Sequence, residues 1–163
     1  MFILIIYFIN FATLTKNSIL GRILALDYGQ KKVGVAVTDE FRICAQGLET
    51  VHVAEIFDYL KQYIEQNQVD MIIIGEPRQM NNDVSDSERF ITPFINRIQK
   101  HFTIPILRFD ERFTSKMAFQ TMLDAGLGKK ARRNKALVDT ISATLILQSF
   151  LESSMYQNMN TQP

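Results

Sequence analysis

Cysteine occurs once, as Cys44, and histidine twice, as His52 and His101, in a chain of 163 residues. A single thiol excludes an internal disulfide and a thiolate zinc cluster. Two histidines leave little for a histidine-rich metal centre. Any metal held here must be held by carboxylates, which points to hard divalent cations such as magnesium (Mg2+) or manganese (Mn2+). Charge of one sign is also lacking: 18 basic against 17 acidic residues leave a net +1. No whole-molecule field marks a nucleic-acid binder, so any such signal must be local. Repeats and low-complexity segments are missing too. What is there is an ordinary globular composition, 47% apolar and 21% charged. The length suits one domain with a real core.

A membrane-length apolar run is lacking as well. Residues 1–14, MFILIIYFINFATL, are almost wholly apolar, but a spanning helix needs about 20 such residues. No Lys or Arg precedes Lys16 and no A-x-A pattern follows, which argues against a signal peptide. Residues 1–20 are therefore expected to be an extension outside the fold, translated from a start placed too far upstream. A membrane anchor is the lesser alternative.

Residues 22–28, RILALDY, form a short apolar run ended by Gly29, and 32–38, KVGVAVT, alternate around valines. The tight GQK connection predicts an antiparallel hairpin, to which residues 43–52 add a third strand. Ile56, Phe57, Leu60, Tyr63 and Ile64 recur at helical spacing and predict a helix over 54–67. The isoleucine-rich VDMIIIG at 69–75 reads as a parallel strand buried on both faces, stopped by Pro77. Residues 79–87 are polar and loop-like. A helix is expected over 88–101, with Pro93 admissible near its start, then a strand over 104–109. Thr114 or Ser115 can cap a helix to about Asp124. The basic, glycine-containing stretch 125–135 reads as a flexible loop, and a long helix follows from about Asn134 to Leu151. Residues 153–163 read as a polar, disordered tail.

The domain thus spans 21–152. Its order, β-β-β-α-β-α-β-α-α, implies an α/β fold. The expected sheet is mixed and five-stranded, with three antiparallel strands, two parallel ones and helices on both faces. In such sheets sites gather beyond the carboxyl ends of the parallel strands.

Four acidic positions stand out against this frame. Alternation puts Asp27 on the same face as Ile23 and Ala25. An ionised carboxylate at the end of a central strand is costly unless paired or bound to metal. Asp27 also suits an Asx-turn at the Tyr28-Gly29 bend, and the segment alone does not choose between the roles. Asp139 lies on the last long helix among Ala136, Ser142, Ala143 and Ile146, a small apolar face that can approach a sheet closely. A partnership with Lys135 or Arg133 is the bland alternative; a sheet-facing acid is the functional one. In Asp110-Glu111-Arg112, Glu111 alternates with Leu107 and Phe109, and Asp110 with Ile106 and Arg108. Only one of these two acids can face a given site. Glu76 ends the neighbouring strand and reads on its own as an exposed loop residue.

All but Asp139 end strands of one expected sheet. Three or four carboxylates gathered there would repel one another unless a divalent cation neutralised them. Paired cations of this kind support phosphodiester displacement. Beside them lies a basic stretch, Lys129, Lys130, Arg132, Arg133 and Lys135, with Lys31 and Lys32 next to Asp27. Such charges position phosphates without reading sequence. Phe57, Phe90 and Phe94 sit at core spacing and offer no evident base-stacking platform.

Four blocks carry a family resemblance: LALDYGQKKVGVAVTD (24–39), DMIIIGEPRQMNN (70–82), DERFTS (110–115) and KALVDTISATLILQ (135–148). In order and at these spacings they resemble the YqgF (RuvX) family, Holliday-junction-resolvase-like proteins described as pre-16S ribosomal RNA nucleases. The resemblance implies a ribonuclease H-like fold, a bacterial cytoplasmic setting and maturation of the 5′ end of small-subunit ribosomal RNA, with ribosomal particles as partners. It implies no membrane, and a monomer or weak dimer is expected. By motif position Asp27, Glu111 and Asp139 inherit catalytic, metal-holding roles, and Arg112 becomes a candidate phosphate contact. The family commonly has Gly-Leu-Pro at Gly75-Glu76-Pro77, so Glu76 is an added acid outside the core set. Residues 1–20 have no counterpart in the family pattern.

Three other functions compete. A branched-DNA resolvase would use the same acids. An actin-like ATPase would share Asp27-x-Gly29 followed by Gly34, which resembles a phosphate-binding hairpin, but needs a second Asp-x-Gly hairpin and a glycine-rich adenosine loop that nothing in the sequence supplies. A non-catalytic RNA-binding assembly factor would keep the fold without the cleavage.

Overall fold

The computed structural model describes residues 20–77, 87–110 and 114–161. The expectations for residues 1–19, for most of the 79–87 loop, and for Glu111 and Arg112 fall outside them. Five strands form one sheet: β1 (Arg22–Tyr28), β2 (Lys32–Thr38), β3 (Ala45–His52), β4 (Val69–Glu76) and β5 (Ile106–Asp110). Their spatial order is β3-β2-β1-β4-β5. β1 pairs antiparallel with β2 and parallel with β4, and β4 pairs parallel with β5. The carboxyl ends of β1, β4 and β5 therefore share one edge. The mixed sheet and its strand directions are those expected from the sequence.

β1 is central, with a strand on either side, and Ile23 to Leu26 are wholly buried. Its alternation divides two cores. Leu24 and Leu26 face one side with Val33, Val35, Ile72 and Ile74. That side is covered by α1 (Ile56–Gln66) and α2 (Glu88–His101), through Ile56, Leu60, Ile91, Phe94 and Ile98. Ile23 and Ala25 face the other side with Ala36, Ile73, Ala143 and Phe150. There α3 (Thr114–Asp124), the single turn α4 (Lys129–Arg132) and the long α5 (Lys135–Glu152) follow one another, and α5 crosses β1, β2 and β3. The helices on both faces are as expected.

Two stretches differ from expectation. The basic stretch is not a plain loop: Gly128 enters extended, Lys129–Arg132 make one helical turn, and the Arg132 guanidinium donates to the Leu127 carbonyl at 2.6 Å. The polar tail expected to be disordered carries a helix, α6 (Ser154–Thr161). Ser153 Oγ accepts from the Tyr156 amide at 3.3 Å, and the Tyr156 ring packs 5.3 Å from that of Phe150. Local capping and one aromatic contact thus outweigh the polar composition. Among the described residues no helix is long and apolar enough to cross a membrane.

Candidate acidic cleft

Asp27 continues the Ile23–Ala25 row of β1, and so belongs to the face that α5 covers. Its neighbour across the ladder is Gly34 of β2. A Cβ on Gly34 would collide with the backbone carbonyl of Asp139. The helix backbone therefore rests on the strand where no side chain intervenes. The Asp139 backbone stands over Gly34, the ladder partner of Asp27, so positions 27 and 139 adjoin where α5 meets the hairpin. Position 139 thus meets the sheet through its backbone, with its side chain half-buried. In the sequence Gly34 counts only towards a phosphate-binding hairpin, although a glycine within a valine strand is also a sign of close backbone approach.

Further contacts fix α5 at this height. Asn134 caps it, its side chain accepting from the Ala136 and Leu137 amides at 3.1 and 3.4 Å. Thr50 of β3 donates to the Ala136 carbonyl at 2.6 Å and lies 2.9 Å from the Thr140 hydroxyl. Gly47 offers a second seat, where a Cβ would stand 2.7 Å from Thr140 Cγ2. Burial pushes the Asp139 carboxyl above its ordinary pKa, and the charges of Lys135 and Lys32 oppose the rise. The group is thus a partly desolvated acid beside two cations.

A cleft of ≈ 410 Å³ opens here, lined by the Tyr28–Lys32 turn, Ser87, Phe90, Lys135 and Asp139. The turn is held by the Gly29 amide on the Lys32 carbonyl at 2.9 Å and by the Val53 amide on the Lys31 carbonyl at 3.0 Å. Lys31 and Lys32 come from the hairpin and Lys135 from the first turn of α5, so three cations border the acid. Lys129, Lys130 and Arg133 are exposed on α4 and its end, away from the cleft lining, and Arg132 is engaged by the Leu127 carbonyl.

The expected gathering of every strand-end acid is corrected by the register. Glu76 and Asp110 are paired neighbours on β4 and β5. Glu76 follows Ile72 and Ile74, and Asp110 follows Ile106, all on the α1–α2 side. Arg108, in the same row, grips Glu88 of α2 through both carboxylate oxygens, at 2.7 and 2.9 Å. Alternation therefore places Glu76 and Asp110 on the face opposite to Asp27 and Asp139. Leu107 and Phe109 pack on the α5 side. Glu111, the third acid of the expected set, lies outside the described residues, as does Arg112. Among the described residues no three acidic, histidine or cysteine side chains stand together as a metal site.

Aromatic residues add what the sequence had not suggested. Phe57 and Phe94 are core residues, as their spacing implied, but Tyr28 and Phe90 line the cleft. Phe90 sits at the edge of the α2 apolar stripe, where helical spacing cannot separate core from cleft wall.

Residues 21–153 match the model of the RuvX family, described as Holliday junction resolvase. A protein of Phocaeicola vulgatus named "Putative pre-16S rRNA nuclease" is 54% identical over 138 residues, 84% of this chain and 99% of its own length. A protein of Flavobacterium johnsoniae with the same name is 51% identical over 136 residues, 83% of this chain and 99% of its own. Among solved structures, Thermus thermophilus RuvC in complex with Holliday junction substrate aligns over 86% of this chain and 97% of its own, at TM-score 0.49 and 15% identity. That likeness is too loose to bear on site or substrate.

Proposed function

Because this chain belongs to the RuvX family, whose model matches it from residue 21 to 153, we propose that it is a metal-dependent nuclease that hydrolyses phosphodiester bonds of precursor 16S ribosomal RNA in the bacterial cytoplasm. The reading rests chiefly on one observation: Gly34 seats Asp139 beside Asp27, at a cleft edged by Lys31, Lys32 and Lys135. Asp27, Asp139 and Glu111 form the catalytic set, Glu111 by its motif position and its alternation with Leu107 and Phe109.

The donor chemistry fits a hard divalent cation, magnesium or manganese. The acids are carboxylates on a shared face, and burial already makes charge on Asp139 costly. A cation would reverse that cost. When bound, it supplies Lewis acidity and charge neutralisation at the phosphoryl group. The protein's own part is positional. α5 and β1 hold the two aspartates at a fixed separation, with no loop to blur it. Lys31, Lys32 and Lys135 bind backbone phosphates on either side of the acids, which orients a strand without reading its sequence. Arg112 and the exposed Lys129, Lys130 and Arg133 extend that attraction outwards.

The test is metal-dependent cleavage of precursor 16S ribosomal RNA by the wild type and by Asp27→Asn, with RNA binding measured alongside. The variant is expected to lose at least about a hundredfold in rate while binding RNA as before. If the wild type cuts no faster than the variant while both bind equally, the protein is an RNA-binding assembly factor. The family description favours one further substrate, so a four-way DNA junction belongs in the same assay. Preferential cutting of the junction would make the chain a resolvase.

A further inference from the structure

The acidic cleft does not end at its basic rim. A second groove of ≈ 320 Å³ continues from it, sharing Tyr28 and Phe90 and running on between α1 and α2. Its wall is aromatic, with half-buried Tyr28 and Phe90 in front of buried Phe57 and Phe94, and its rim carries Arg89 and Arg97. The two ends of the path thus differ in chemistry. Lysines and a carboxylate line the first part, as a sugar-phosphate backbone requires. Aromatic rings line the second, with two guanidinium planes laid over them, and a phosphate has no use for the rings.

We propose that this second groove is a base-binding subsite that takes an unpaired nucleobase of the strand whose phosphate lies in the acidic cleft. The proposal rests on the nuclease reading for the identity of that strand. Tyr28 joins the two compartments: its backbone ends β1 one residue after Asp27, and its ring packs 4.5 Å from that of Phe94 at 34°. A base flanking the scissile phosphate needs to travel no further than this ring. The arginines are already held flat. The Arg97 guanidinium lies 3.9 Å over the Phe57 ring and that of Arg89 4.7 Å over Phe90. Unstacked bases are commonly received on such aromatic and guanidinium planes. Arg89 and Arg97 are exposed, and Tyr28 and Phe90 half-buried, so the receiving surface is open to solvent.

Two consequences follow from the chemistry. A base held by its faces is accepted whatever its identity, so the subsite discriminates unpaired from paired strands and not one sequence from another. A base locked in a duplex cannot enter, so the scissile bond must lie in, or beside, an unpaired stretch.

The test uses full-length protein carrying Asp27→Asn, which binds without cutting. The probe is a short single-stranded RNA with one fluorescent purine analogue, compared with the same strand annealed to its complement. The single strand is expected to bind about tenfold tighter than the duplex (~1.4 kcal/mol), with quenching of the analogue as it stacks. Adding Phe90→Leu keeps an apolar side chain but removes the ring. It should abolish the quenching and weaken single-strand binding about tenfold more than duplex binding, so that the preference for the single strand disappears. Arg89→Ala, at an exposed position, should give a smaller loss in the same direction without touching the fold. Quenching and affinity unaltered by Phe90→Leu, or equal binding of duplex and single strand, would overturn the proposal. So would a concentration-dependent dimer that Phe90→Leu dissolves, since the groove would then serve a second copy. Cleavage of precursor RNA without the strand preference sinks the subsite and spares the nuclease reading. Strand preference and quenching without cleavage in the wild type do the reverse.

Discussion

The two faces of the sheet are built on different principles. Under α1 and α2 the packing is of large aliphatic side chains, Leu24, Leu26, Ile72, Ile74, Leu60 and Ile98. Under α5 the strands carry Ala25, Gly34, Ala36 and Gly47, and the helix answers with Ser142 and Ala143. The first face holds the fold together by burying apolar area. The second gives up bulk so that a helix backbone can rest on a strand. That closeness brings Asp139 to Asp27. The α5 face is thus thin where Gly34 and Gly47 lie and bulky farther along, at Ile23, Ile73 and Phe150, and a methyl added at the thin place should cost position where elsewhere it costs only stability.

Substitutions can break or sharpen this contrast. The largest stability effect is expected on the thick face: Leu60→Ala should cost about 3–4 kcal/mol in denaturant unfolding, with kcat/KM of the remaining folded protein unchanged. Gly34→Ala should cost less, about 2–3 kcal/mol, because α5 can shift outwards. It should nevertheless remove most cleavage activity by parting Asp139 from Asp27. Loss of activity in both variants, or in neither, would erase the distinction between the faces.

Glu88→Gln should cost about 1 kcal/mol at pH 7 by weakening the two-point grip on Arg108. The Arg108 guanidinium holds the Glu88 carboxyl below its ordinary pKa. Its contribution is therefore present above the unfolded-state value and is lost as pH falls through the folded one. The difference between wild type and variant should close under acid conditions.

The smallest effect has the opposite sign. Burial raises the pKa of Asp139, so its charge begins to destabilise the folded protein as pH rises above the unfolded-state value and does so in full above the folded one. Asp139→Asn, in chelator and near neutral pH, should raise Tm by about 1–2 °C, since solvent screens much of the penalty. It should abolish cleavage all the same. A fall in Tm would mean that the ionised acid stabilises the fold.

Much of this contrast is legible in the sequence, and unevenly so. The alternation of RILALDY places Asp27 on the α5 face because period-two geometry leaves no other choice. Asn134 marks the start of α5, where it accepts from two free amides. Asp139 stands out because an acid among alanines and serine has no solvent-side reason to be there. The Asp110–Glu111 question was posed correctly by alternation, and the strand pairing sends Asp110 with Arg108 to the α2 side. Glu76 goes the same way, but its face depends on where β4 enters the sheet, which its own residues do not reveal. Gly34 needed the helix above it to acquire meaning. Phe90 differs from Phe94 only by one turn of helix, and which turn overhangs a cleft is a fact of tertiary structure. The single turn at Lys129–Arg132 and the capped Ser154–Thr161 were hidden by composition, which reports polarity and not the local contacts that organise it.

The seating of α5 also sets a time for activity. Among the described residues Asp27 lies on the first strand and Asp139 on the last long helix. The docking of this helix on β1 is a long-range event, and long-range contacts form late. While the chain is still emerging from the ribosome, the sheet can assemble and its thick face can close, yet the acidic cleft has only one of its walls. A chain stopped before Asn134 holds no paired acids, however well its strands are formed. On the proposed reading, cleavage can therefore begin only once α5 has docked on the strands.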